Sequence, residues 1–114
     1  MARAHDRLRR LLGSRRNTAR SDWHQVLGSL VEVCRERSPE SEAVLRRAAT
    51  FAGTLALELD AGLPHAMSPE DFLRSVAVQT LGRWDRRLHQ DVIVRAAALA
   101  DHESVITHAR PYLL

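Results

Sequence analysis

The sequence predicts an all-α fold, a compact bundle of five or six helices forming a single domain over residues 1–114. Three observations carry that expectation. Apolar residues return at three- and four-residue spacing along most of the chain, the period of a helix buried on one side. β-branched runs are scarce, whereas good helix formers such as alanine, leucine and arginine are plentiful. The five glycines and four prolines fall mostly between the periodic stretches, where they act as breaks. A chain of 114 residues is long enough for one hydrophobic core and short for two.

The expected centre of the bundle is the stretch from Ser38 to Gly62. Ser38 can cap a helix, Pro39 stands at the first helical position where no backbone donor is needed, and Gly62 offers an inexpensive left-handed turn to end it. Val44, Leu45, Ala48, Phe51, Ala52, Leu55 and Leu59 fall on one broad face, and Ala49, Gly53 and Leu57 drift to a second. Gly53 costs about 1 kcal/mol against alanine in a helix, which argues for close approach of another backbone.

Around this centre the other helices follow in order. Residues 1–20 form a basic N-terminal helix and loop, with Ala4, Leu8, Leu11 and Leu12 on a narrow stripe, Arg3, Arg7 and Arg10 as a ridge beside it, and Gly13 as the stop. Residues 21–114 make the bundle core. Ser21 or Asp22 caps a helix whose stripe is Trp23, Val26, Leu27, Leu30, Val31 and Cys34. Ser68, Pro69, Glu70 and Asp71 give the clearest helix start, with a cap, a first-turn proline and two acids at the positive end of the dipole. Phe72, Leu73, Val76, Ala77, Thr80 and Leu81 continue it to Gly82, where a break or kink is expected, because a continuous helix turns Arg83 into that stripe. Beyond it Trp84, Leu88, Val92, Ala96 and Leu99 face inward, Arg83, Arg86, Arg87 and Gln90 face outward, and Asp91 is placed to pair with Arg95 one turn on. Asp101 caps a last short helix that docks Val105, Ile106 and Ala109 before Pro111.

No catalytic constellation emerges. His5, His24, His65, His89, His102 and His108 form no i, i+4 pair and have one cysteine to join them, so no metal site is expected, and these histidines are read as surface or helix-end residues. Cys34 lies on an apolar stripe as an inert thiol; alone it makes no internal disulfide and suits a reducing, cytoplasmic setting. Neither a glycine-rich phosphate loop nor a nucleophile elbow is present. The acid pairs Glu40/Glu42, Glu58/Asp60 and Glu70/Asp71 are explained by capping and solubility. The expectation is a protein that is not an enzyme and has no cofactor. No apolar run approaches the roughly 18 residues of a membrane span.

Binding remains. All 17 basic residues are arginine; residues 1–20 hold seven against one aspartate, residues 21–114 ten against thirteen acids, so the basic character is local. Local basic surfaces attract phosphate backbones or acidic partners. The first candidate is Arg83, Arg86 and Arg87 around Trp84, since guanidinium groups bind phosphate oxygens bidentately and stack on unpaired bases. A second combines Arg3, Arg7, Arg10, Arg15, Arg16 and Arg20, and a third is Arg46 with Arg47; each also reads as a solvated face or as internal salt bridges. Residues 68–90 can further be read as a loose helix-turn-helix with arginines early in its second helix. The whole outline, with the basic start RAHDRLRRLLGSRR, the arginine-bearing RWDRRLHQ and no catalytic residues, resembles the small helical subunit of CRISPR effector complexes. That resemblance implies a non-catalytic role in which basic surfaces contact RNA or single-stranded DNA and other edges contact further copies and neighbouring subunits. The alternatives are a helical adaptor for acidic protein surfaces and the helix-turn-helix regulator.

Overall fold

The computed structural model describes residues 4–13, 21–53, 55, 57–58 and 67–113. Six α-helices among them form an all-α bundle: α1 (Ala4–Gly13), α2 (Trp23–Arg35), α3 (Pro39–Ala49), α4 (Pro69–Asp85), α5 (Gln90–Leu99) and α6 (Glu103–Ala109), with a 3-10 turn at Arg110–Tyr112. One short extended pairing accompanies them, Ser21–Asp22 alongside Leu57–Glu58 in parallel. No described helix is long and apolar enough to cross a membrane.

The two Ser-Pro starts form as their chemistry requires. Ser38 accepts from the Ser41 amide and Ser68 from the Asp71 amide, each at 3.1 Å, satisfying a donor that the first turn leaves orphaned. α3 is indeed central. Val44, Leu45, Ala48 and Ala49 are fully buried, and the helix packs against α1, α4 and α5. α4 packs against α3, α5 and α6, burying Leu73, Ala77, Val78 and Leu81 completely.

α3 does not run on to Gly62 as the spacing predicts; it stops at Ala49. Thr50 closes it, its amide bonding the Arg46 carbonyl at 3.2 Å and its hydroxyl the same oxygen at 3.0 Å. The backbone groups that a longer helix would pair internally are taken by side chains of α4. Arg74 donates to the Phe51 carbonyl through Nε at 3.0 Å and Nη2 at 2.7 Å, and Glu70 accepts the Leu55 amide at 2.7 Å. Gly53 is therefore outside any helix. A Cβ there would meet the ring of Phe51, so the glycine makes room for a neighbouring side chain in the same segment, not for another backbone. Leu59, Gly62 and His65 lie outside the described residues, as do the side chains of Trp23, His5 and His24.

The expected break at Gly82 is also absent, and α4 continues through it to Asp85. The ring of Tyr112 fills the space a side chain would need; a Cβ would lie 2.6 Å from its Cδ1. Arg83 does fall in line with Phe72 and Val76, but that line is half-buried and borders a groove; the core line is Leu73, Ala77, Val78 and Leu81. The chain turns instead at residues 86–89, which resets the phase of α5: Val92, Ile93 and Ala96 are buried, and Leu88 is 60% exposed. His102, not Asp101, caps α6, its Nδ1 accepting the Ser104 amide at 3.1 Å, and Ile106 is exposed while Val105 and Ala109 are buried. In α2, Val33 takes the buried place expected of Val31, which is half exposed.

One buried polar hub ties distant segments together. The Asp71 carboxylate, 1% exposed, pairs with Arg74 at 2.5 Å through Oδ1 and accepts the amides of Asp101 and His102 at 3.2 and 3.0 Å through Oδ2. Arg74 in turn holds the Phe51 carbonyl. The exit of α3, the first turn of α4 and the entry to α6 thus meet on one ion pair whose buried charges are hydrogen-bonded, the condition under which burying them is tolerable.

Candidate functional site

Arg83, Arg86 and Arg87 stand in solvent at the C-terminal end of α4 and in the turn after it. None of the three forms an ion pair among the described residues. Asp85, the nearest acid in sequence, spends Oδ1 on the Leu88 amide at 3.1 Å, and Arg83 Nε donates to the Gln79 carbonyl at 3.3 Å. Two further arginines arrive from the end of α2. Arg37 donates to the Trp84 carbonyl at 2.8 Å and lays its guanidinium 5.8 Å from the centroid of the Trp84 ring, satisfying a helix-end acceptor and making a cation–π contact. Arg35 lines a groove with Arg83. Arg37, just past the end of α2, therefore sits on the half-buried Trp84, and Arg35, the last residue of α2, faces Arg83 across the groove.

The other sequence-predicted residues are distributed differently. Arg46 is committed internally, to both oxygens of Asp91 at 3.1 and 2.5 Å, and Asp91 is consequently held below the usual carboxylate range by that hydrogen bond. Asp91 thus pairs with α3, not with Arg95, which is exposed. Arg7 turns to α2, bonding Ser29 at 2.9 Å and lying 3.7 Å from Glu32, while Arg9 lies 3.8 Å from Asp6. Arg10 and Arg47 are exposed. Arg3, Arg15, Arg16 and Arg20 lie outside the described residues. The helix-turn-helix reading placed its turn at Gly82; Gly82 is inside α4, so Arg83 lies at the end of that helix and Arg86 and Arg87 in the turn at 86–89 that leads into α5.

Beside this surface, α2 and α4 leave a groove of about 400 Å³. Leu27, Leu30, Val31 and Cys34 line it from α2, and Phe72 and Val76 from α4. Thr80 donates to Cys34 Sγ at 3.3 Å, and burial pushes the thiol up, so Cys34 is a poor nucleophile. Leu27, Val31 and Arg35 at four-residue intervals, matched by Phe72, Val76 and Thr80, were the sequence signal for this groove.

Two further polar clusters lie elsewhere in the bundle. Ser75 Oγ hydrogen-bonds His108 Nδ1 and accepts from Gln79 at 3.4 Å, but the serine is buried between α4 and α6, away from the groove. His89 is 1% exposed, against the expectation of a surface position. Its Nδ1 lies 3.1 Å from Arg46 Nη1; a guanidinium only donates, which assigns the neutral ring proton to Nε2. That Nε2 has no hydrogen-bond partner and lies 3.9 Å from Glu42. Burial pushes the imidazole below its ordinary value, with Glu42, Asp85 and Asp91 pulling up and Arg46 pushing down. The folded state then binds fewer protons than the unfolded chain, so stability is held above about pH 6.5 and falls as the pH drops from there through the lowered folded value. Urea melts between about pH 7.5 and 5 are expected to show this decline and to lose part of it in His89→Gln; an unchanged pH profile in that variant would exclude His89 as the cause. No group of residues able to hold a metal ion occurs among the described residues.

Comparison with protein-family models, curated proteins and solved structures finds no match.

Proposed function

We propose that the protein is a non-catalytic, arginine-rich helical subunit that binds the backbone of RNA or single-stranded DNA within a nucleoprotein complex. One observation carries the reading: Arg83, Arg86 and Arg87 are exposed and unpaired among the described residues, with Arg35 and Arg37 brought alongside. Internal carboxylates neutralise Arg46 and Arg74 and leave these free, so an outside anion is their natural partner. Planar donors suit phosphate oxygens and stack on unpaired bases, which favours a single strand over a duplex read in its groove. The small subunit of a CRISPR effector complex is a setting consistent with this outline, and the exposed Arg10 and Arg47 are secondary contacts.

Anisotropy titration of a fluorescein-labelled oligouridine against the full chain tests it. Binding is expected at micromolar or weaker affinity, weakening steeply between about 50 and 200 mM salt as neutralised phosphates release counterions. Absence of binding at low salt, with an acidic protein surface retained instead, would overturn it in favour of the adaptor.

A further inference from the structure

We propose that the groove between α2 and α4 is the docking site for an amphipathic helix of a partner protein, one whose apolar stripe ends in carboxylates. This goes beyond the polyanion reading and does not depend on it. α1 and α3 hold α2, and α3, α5 and α6 hold α4, leaving the two helices only lightly in touch along the groove. Cys34 of α2 meets Thr80 of α4, and Arg37, two residues past the end of α2, meets Trp84 further along α4, so the chain advances in the same sense on both sides of the groove. The groove consequently has a polarity. Leu27 and Phe72 stand at its apolar end and Arg35 and Arg83 at its cationic end.

From Leu27 to Arg35 is about 12 Å at 1.5 Å per residue, slightly more than two helical turns. Val31 on the rim is 48% exposed, so the apolar lining is open to a partner instead of being sealed in the core. At the far end neither Arg35 nor Arg83 has a carboxylate partner among the described residues. The complementary occupant presents apolar anchors at i, i+3 or i+4 and i+7, followed by Asp or Glu. A nucleic acid satisfies the arginines but leaves the aliphatic floor uncovered. Arg83 belongs to both surfaces, which makes helix docking and strand binding compete at that residue.

The test uses a lactam-stapled, fluorescein-labelled peptide of about 12 residues with leucines at those spacings and two C-terminal glutamates, alongside the same peptide ending in two lysines. The full chain is expected to bind the glutamate peptide at least about tenfold more tightly than the lysine peptide, in keeping with the reach of charge complementarity. Methyl NMR shifts should centre on Leu27, Leu30, Val31 and Val76. Arg35→Ala with Val31→Asn, both at exposed positions, should weaken binding by about tenfold, and Arg35→Ala alone by several-fold with an unchanged far-UV spectrum. Equal binding of both peptides, shifts centred on Leu88, Val94 and Ile106, no effect of Arg35→Ala, or no binding of the glutamate peptide would each overturn the proposal. So would binding of laurate in the groove when the peptide does not bind, which would assign it to a small amphiphile. Loss of oligouridine binding with peptide binding intact leaves this inference standing and removes the other.

Discussion

Asp71→Ala is expected to cost about 3–5 kcal/mol of folding free energy, the range for breaking a buried ion pair by removing one partner. The change strands the Arg74 guanidinium, whose side chain is 7% exposed, and leaves the Asp101 and His102 amides without their acceptor. In a domain of this size such a loss lowers Tm by roughly 10–20 °C. Thermal and urea melts measure it directly. Asp71→Ala combined with Arg74→Met removes both charges and should recover part of the loss, but not all, because the Phe51 carbonyl and the two amides still lack partners. A loss below about 1 kcal/mol in the single variant would mean that the hub does not hold the three segments together.

Replacing Arg83, Arg86 and Arg87 together by alanine should weaken oligouridine binding by on the order of 10²-fold at about 50 mM salt and make the salt slope shallower by about 2, at roughly 0.7 per lost phosphate contact. These side chains are exposed and carry no internal ion pair among the described residues, so the fold should be retained and circular dichroism unchanged. Arg46→Ala is the contrasting case. It releases Asp91 and the Nδ1 of His89 and should disturb the α3–α5 contact while leaving the salt slope unaltered. A triple variant with the wild-type slope would remove this cluster from the binding surface.

What could be read from the sequence was local. Ser38-Pro39 and Ser68-Pro69 announce helix starts because a cap needs only the next three residues. The end of α3 was not legible, since it depends on Arg74 and Glu70, some 15 to 23 residues downstream, capturing the Phe51 carbonyl and the Leu55 amide. Gly82 misled for the same reason: its partner is Tyr112, and a glycine under an aromatic ring looks like a break until the ring is seen. Arg83, Arg86 and Arg87 were identifiable from charge and spacing; Arg35 and Arg37 were not, because Arg37 meets Trp84 47 positions away and Arg35 meets Arg83 only across the groove. The pairing of Arg46 with Asp91 over 45 positions was likewise hidden behind a nearer opposite charge on each helix, Glu42 for Arg46 and Arg95 for Asp91.

The hub at Asp71 also sets an order of events on the ribosome. Its carboxylate is made some 30 residues before the two amides that complete its shell, those of residues 101 and 102, so a growing chain carries a half-coordinated anion until they have emerged. Nascent chains halted before that point should be cut readily by protease, with resistance arriving in a single step once residues 101 and 102 are out.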